Sequence, residues 1–195
     1  MRLIVARHGE TQENKKRIIQ GQSNDGHLSK NGWKQVAALA RRLRRVKIDV
    51  IYSSDMGRAA DTARAIVLFH PHAKVKFTAA LRERNCGQYE GKRMPRNWRT
   101  NFEKYEHEKG METNKMLYTR AKRFLTRLEK QHDSKTVLLV GHSAIDRALV
   151  CVLQKKMPTD IRSIKRMKNA SLTIAEKKGK NPWRVVAYND ARHVV

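Results

Sequence analysis

The sequence predicts an α/β protein, a three-layer sandwich in which a mostly parallel central sheet carries helices on both faces. Two observations carry that prediction. Short apolar runs alternate with segments whose apolar residues recur at helical spacing, the pattern of strands joined by crossover helices. Two of the runs also end alike: Leu3 to Ala6 leads into Arg7-His8-Gly9-Glu10-Thr11, and Thr136 to Val140 into Gly141-His142-Ser143. In open α/β sheets ligands bind in the crevice outside the carboxyl ends of the strands. Each histidine is therefore expected where a ligand arrives.

The elements follow in order. After the first motif, Gln12 to Gly26 is polar and is read as too irregular for a regular element. Ser29 is a suitable N-cap for a helix along which Trp33, Val36, Ala37, Ala40 and Leu43 recur. Ile48 to Tyr52 is the next buried strand, ending in Ser53-Ser54-Asp55. Arg58 opens a helix through Ala59, Thr62, Ala63 and Ile66. Val75 to Phe77 is a short strand leading to Leu81-Arg82-Glu83. Residues 92–112 break the pattern: they are basic, contain Pro95, and hold Trp98, Phe102 and Tyr105 without a core period. They are read as an insertion over the sheet edge, near the pocket mouth, within a single domain of residues 1–195. A long helix then presents Leu117, Ala121, Phe124, Leu125 and Leu128. The His142 strand and a helix from Ala144 to Leu153 follow. Ser171 to Ala175 and Trp183 to Ala187 form a closing hairpin.

Composition narrows the class. No run reaches the roughly 18 apolar residues of a membrane span, and no apolar signal region precedes the first motif. The expected location is the cytoplasm. Cys86 and Cys151 lack CxxC spacing and are read as free thiols, with neither a disulfide framework nor a zinc site. Forty-three Lys and Arg against 18 Asp and Glu give a net charge of +25, a field that attracts anions. The basic residues are dispersed along the chain, so the excess does not by itself name a partner. His27, His70, His72, His107 and His132 have no partner spacing and are expected to face solvent.

The strand-end groups Arg7, His8, Arg58, Glu83 and His142, with Asn14 and Gln20 in the first loop, make chemical sense as a set. Two guanidiniums and two imidazoles converging on one crevice form a pocket for a tetrahedral dianion. Arginine presents a planar fork to phosphate oxygens and keeps its charge. A neutral histidine can attack phosphorus and carry the phosphoryl group. A carboxyl group such as Glu83 can protonate the departing alkoxide and later take a proton from water.

Arg7-His8-Gly9-Glu10-Thr11 with Asn14 resembles the signature of the histidine phosphatase superfamily, the phosphoglycerate mutase-like proteins. The likeness continues in order. It runs through Gln20-Gly21, Asp25, Leu28-Ser29 and Gly32, and then Tyr52-Ser53-Ser54-Asp55 with Arg58-Ala59 and Thr62-Ala63. Leu81, Glu83, Gly87, Glu90 and Gly91 follow, then Met111-Glu112-Thr113, Gly141-His142-Ser143, Asn169-Ala170-Ser171, and Asn189-Asp190 with His193. The resemblance implies the phosphoglycerate mutase-like fold, with His8 as nucleophile and transient phosphohistidine. It implies that Arg7, Arg58 and His142 hold phosphoryl oxygens, that Asn14, Gln20 and Gly21 help bind substrate, and that Glu83 is the proton donor. It calls for no metal and no cofactor, since fixed cations take the place of magnesium.

Within that superfamily the Glu90-Gly91 block resembles the phosphatase branch, so a phosphomonoester hydrolase is favoured over a phosphoglycerate mutase-type phosphotransferase. The cations of Lys92 to Arg99 point to a small, polyanionic phosphorylated substrate. A basic protein associated with nucleic acid is a further alternative, disfavoured because aromatic residues are not interleaved with the basic runs.

Overall fold

The computed structural model describes residues 1–22, 26–98, 102–107 and 110–194. In chain order the elements are β1 (Arg2–Arg7), α1 (Gln12–Lys16), α2 (Lys30–Leu43), β2 (Val50–Ser53), α3 (Gly57–Val67), β3 (Lys74–Phe77), α4 (Phe102–Glu106), α5 (Asn114–Gln131), β4 (Thr136–Gly141), α6 (Ser143–Leu153), β5 (Leu172–Glu176) and β6 (Arg184–Asp190). The six strands form one sheet in the order β3-β2-β4-β1-β5-β6. β3, β2, β4 and β1 run parallel, and β5 and β6 are added antiparallel.

Strand alternation sends successive side chains to opposite faces. Leu3, Val5, Val137 and Leu139 pack against α5 and α6, through Leu117, Leu125, Ile145 and Leu149. Ile4, Ala6, Leu138 and Val140 pack against α2 and α3, through Leu39, Leu43, Ala59 and Ile66. Each face therefore has its own apolar layer, and the central strands are buried on both sides. That explains their near-continuous apolar sequence.

Four expectations need correction. Gln12 to Lys16 is helical: Thr11 Oγ1 accepts from Asn14 N at 3.2 Å and Asn14 Oδ1 accepts from Thr11 N at 3.3 Å. Reciprocal capping, not an apolar face, makes this turn, and α1 buries none of its residues. Trp33 is 47% exposed. The buried stripe of α2 is Gly32, Val36, Leu39, Ala40 and Leu43, because Gly32 lets the helix start close on the Glu10 backbone, where a Cβ would overlap the Glu10 carbonyl. His70 and His132 are buried. Both lie just past a helix, where the chain folds back toward the next strand, and His132 Nε2 meets the Tyr52 hydroxyl at 3.0 Å. Of the others, His72 and His107 are exposed, and His27 pairs with Asp61 at 3.1 Å while staying open to solvent.

The fourth concerns the basic segment, whose described residues pair with the first loop and not with an edge strand. It runs beside the first loop: Met94 N donates to Arg17 O at 2.8 Å and Ile19 N to Lys92 O at 2.9 Å. Its aromatic rings pack together, Trp98 stacked on Tyr105 with centroids 4.8 Å apart and edge-on to Tyr89 at 5.2 Å. Asp25 and Arg99, named in the sequence reading, lie outside the described residues.

Candidate active site

The parallel pairing of β1 with β4 sets Arg7 opposite Gly141. His8 and His142, each one residue further on, thus leave the same end of adjacent strands. Their ring centroids are 5.0 Å apart. Arg58 comes from the first turn of α3, beyond β2, and Glu83 from the loop beyond β3. All four parallel strands deliver their chemistry to one crevice, the place expected for an open α/β sheet.

The hydrogen bonds fix both imidazole tautomers. His8 Nδ1 lies 2.6 Å from the carbonyl oxygen of Gly9. A carbonyl cannot donate, so Nδ1 carries the proton and Nε2 keeps its lone pair. Arg58 Nε donates to His142 Nδ1 at 3.2 Å; a guanidinium cannot accept, so the His142 proton is on Nε2. Burial, then Arg7 and Arg58, hold the His8 pKa well below the ordinary histidine value. Burial and Arg58 do the same for His142. Both rings are neutral at physiological pH.

The cationic groups are held by backbone oxygens. Arg7 Nη1 donates to Met167 O at 2.7 Å, and Arg58 Nη2 to Gly21 O at 3.0 Å. Gly21 has φ +49°, and a Cβ there would overlap the Glu90 carboxylate. That carboxylate in turn accepts from Gln22 N at 2.9 Å and Cys86 N at 2.8 Å. Asn14 is anchored by Asn169 Nδ2 at 3.0 Å. Gln20 is buried, and its Oε1 has no hydrogen-bond partner among the described residues. Glu83 Oε1 accepts from Ala144 N, at the start of α6, at 3.0 Å and from Arg84 N at 2.8 Å.

Arg7, His8, Asn14, Gln20, Gly21, Arg58 and Glu83 line one cavity of about 380 Å³. His142 is fully buried, packed against His8 and Arg58. Cys86 lines the cavity as a thiol whose pKa burial pushes far up. The segment expected to bring charge contributes Met94 and Trp98 to the wall, and Phe102 joins them. The further cations come instead from Arg84, Arg147, Arg162, Lys165 and Arg166. Among the described residues, no group of three or more His, Cys, Asp or Glu is placed to hold a metal ion.

Three side chains around the site have structural roles that the sequence does not show. Arg120 frames the Glu83 loop, donating to Ala80 O at 3.0 Å and Arg82 O at 2.8 Å while paired with Glu112 at 2.7 Å. Glu90 clamps the Gly21 loop, as above. Asp146 is fully buried one turn into α6, neither oxygen having a partner among the described residues. Burial, then the Glu83 charge, raises its pKa well above the carboxylate range. Its one signal in the sequence is a lone acid on the buried side of an otherwise apolar helix.

A three-layer α/β fold with a buried, neutral histidine among guanidiniums suits a tetrahedral anion. The chain belongs to the histidine phosphatase superfamily, branch 1, whose family profile matches residues 3–191. Over 93 residues it is 44% identical to the fructose-2,6-bisphosphatase TIGAR of Bos taurus, a stretch that is 46% of this chain and 34% of that protein. The chain thus spans about a third of the length of that relative. It is 33% identical to phosphoserine phosphatase 1 of Hydrogenobacter thermophilus over 163 residues, 78% of this chain and 76% of that protein. Among solved structures, YhfR of Bacillus stearothermophilus superposes with a TM-score of 0.88 at 26% identity, over 100% of this chain and 99% of that one.

Proposed function

We propose that the protein is a metal-independent phosphomonoester hydrolase that works through a phosphohistidine on His8. The observation that carries this is the His8 tautomer. Nδ1 is committed to Gly9 O, and the basic Nε2 is kept unprotonated in a pocket whose fixed charges are positive. In the first step Nε2 attacks phosphorus and the bond to the ester oxygen breaks, with Glu83 giving its proton to the departing alkoxide. In the second, Glu83 takes a proton from water, the water oxygen attacks phosphorus, and the P–N bond breaks to restore His8. Arg7 and Arg58 hold the equatorial oxygens, the charge clamp that dominates phosphoryl transfer. The Nε2–H of His142, without an acceptor among the described residues, is the neutral donor completing the clamp. Asn14 and Gln20 add hydrogen bonds at the rim.

The substrate is a small phosphorylated metabolite, a reading supported by the relatives named for phosphoserine and fructose 2,6-bisphosphate. A cytoplasmic location is supported by two buried, unpaired thiols; among the described residues no helix is long and apolar enough to cross a membrane. The test is hydrolysis of 4-nitrophenyl phosphate with a chelator present. Turnover by the intact protein, its loss in His8→Ala, and an acid-labile phosphoryl adduct on quenching support the reading. An adduct with phosphoryl exchange between phosphoglycerates, but no hydrolysis, assigns the mutase reaction instead.

A further inference from the structure

The four parallel strands all start at the pole of the sheet opposite the crevice. Lys74 on β3 pairs with Val50 on β2, Val50 with Val137 on β4, and Thr136 beside it with Arg2 on β1. His8 leaves the other end of β1, about 20 Å away at the rise of a strand. Parallel pairing therefore gathers the segments that precede these strands on one surface. Arg44, Arg45 and Lys47 lie in the turn into β2, Lys74 begins β3 and Lys135 immediately precedes β4; all five are exposed. β3, β2 and β4 are consecutive in the sheet, so Lys74, Lys47 and Lys135 stand at the feet of neighbouring strands.

None of the five cationic side chains has a hydrogen bond or an ion pair among the described residues. The acids of this pole are mostly engaged elsewhere. Asp49 Oδ2 accepts from Thr136 N at 2.8 Å, Glu129 holds Lys177 and Trp183 Nε1, and Glu176 pairs with Arg2; Asp133 is exposed.

The turn between α3 and β3 emerges at the same pole. Its Leu68 is 80% exposed and its Phe69 45%, and Pro71 is exposed as well, while His70 between them is buried. Leu68 is the most exposed large apolar side chain among the described residues. Val46, beside Lys47, and Val67, beside Leu68, pack against the same apolar layer, so the apolar tip and the cations share one side of the pole. A lone surface leucine needs no explanation. An apolar tip among cations without counter-ions has the chemistry of an interfacial anchor. Nucleic acid would use the cations and a stacking ring, but it offers an aliphatic side chain little. The boundary between lipid headgroups and acyl chains takes up both leucine and phenylalanine, and anionic headgroups attract the cations around them.

We propose that this pole is a docking surface for an anionic bilayer. Leu68 and Phe69 enter the headgroup boundary, and Arg44, Arg45, Lys47, Lys74 and Lys135 rest on the headgroups. The crevice at the opposite pole then faces solvent, so docking places the protein at a membrane without covering its site.

Co-sedimentation with vesicles tests this, using phosphatidylcholine alone and phosphatidylcholine with about a quarter phosphatidylserine. The expected partition is at least about tenfold stronger onto the anionic vesicles, since each cation near such a surface is worth about fivefold. The triple variant Arg44→Gln, Arg45→Gln, Lys47→Gln lowers it by about tenfold or more on the same arithmetic. The double variant Leu68→Ser, Phe69→Ser lowers it severalfold with the charge unchanged. The triple variant Lys122→Gln, Arg123→Gln, Arg127→Gln removes as much charge from the exposed side of α5 and retains most of the partition. Thermal melts by circular dichroism check that each variant is folded. Equal partition onto both kinds of vesicle overturns the proposal. An equal fall in the α5 variant overturns it too, assigning the attraction to the general field of the protein. So does a partition indifferent to Leu68→Ser, Phe69→Ser; tight binding of polyuridylate, lost in the Arg44, Arg45, Lys47 variant, would then assign the pole to nucleic acid. None of these outcomes bears on the hydrolase reading, which stands or falls on its own assay.

Discussion

Arg58 donates its Nε–H to Nδ1 of His142 at 3.2 Å while its Nη2 holds Gly21 O at 3.0 Å. One side chain thus sets the tautomer of the second histidine and ties down the first loop, and its charge also keeps His8 neutral. Lysine has no fork with which to meet both partners at once. Arg58→Lys is therefore expected to lower kcat on a small phosphomonoester by about 10²–10³, the cost of losing one preorganised donor. Circular dichroism should show an intact fold. Retention of most of the activity would remove Arg58 from the phosphoryl clamp.

The tautomers can be observed directly. Long-range proton–nitrogen NMR should find His8 as the Nδ1–H form and His142 as the Nε2–H form, with both rings still neutral below pH 6.5. Linkage gives the companion result. The folded pKa values of both rings are depressed, so the unfolded chain binds more protons as pH falls below about 6.5. Stability is lost in that direction, at up to about 1.4 kcal/mol per pH unit for each ring. Urea midpoints measured from pH 7 down to pH 5 check it, and His142→Gln should flatten the slope.

Much of this site was legible in the sequence because strand ends in a parallel sheet converge by topology. Once Leu3 to Ala6 and Thr136 to Val140 are read as buried strands, His8 and His142 must leave the same end of the sheet. What stayed hidden depends on side chains meeting across elements that no period relates. The Arg120 grip on Ala80 and Arg82 carbonyls spans α5 and a loop some forty residues earlier. The apolar use of Met94 and Trp98 is masked in the sequence by Lys92, Arg93 and Arg96 around them, which are exposed to solvent. α1 was missed because a reciprocal cap has no hydrophobic period.

The Arg120 grip makes a prediction separable from chemistry. Arg120→Ala leaves the carbonyls of Ala80 and Arg82 without their donor and Glu112 without its ion pair. Stability should fall by about 1–3 kcal/mol, and kcat should fall with it as Glu83 loses its position. Glu83→Gln should lower kcat while leaving the denaturation midpoint near that of the parent. If Arg120→Ala lowers stability and spares kcat, the loop is held by other means.

Gly32 tests the packing of α2 on the first motif. A Cβ at this position would overlap the Glu10 carbonyl oxygen, with the Glu10 carbonyl carbon and amide nitrogen at 3.0 and 3.1 Å. Backbone cannot swing away as a side chain can. Gly32→Ala is expected to cost about 1–3 kcal/mol by overpacking, despite the higher helix propensity of alanine. A thermal shift upward would show that the Glu10 turn yields.

Asp146 carries the opposite pH signature from the histidines. Its oxygens are buried without partners among the described residues, and one of them packs so close to Gly141 that a Cβ there would overlap it. The acid is therefore held in its neutral form, with its folded pKa raised above the ordinary carboxylate value of 3.8. Above that value the unfolded chain gives up the proton and the folded chain retains it. Asp146 thus reduces stability as pH rises, by up to about 1.4 kcal/mol per unit until its folded pKa is reached. Asp146→Asn is nearly isosteric and does not titrate. Its stability relative to the parent should increase steadily from about pH 4 upward, read as a urea midpoint difference that grows with pH. Arg7 faces this group from β1, Glu83 from its loop and His142 from the preceding turn, so the same titration should be repeated in Glu83→Gln. There the difference should stop growing at a lower pH, because the Glu83 charge that helps to raise the Asp146 pKa has been removed. A midpoint difference independent of pH would mean that Asp146 ionises inside the folded protein, with Arg7 as its counter-ion.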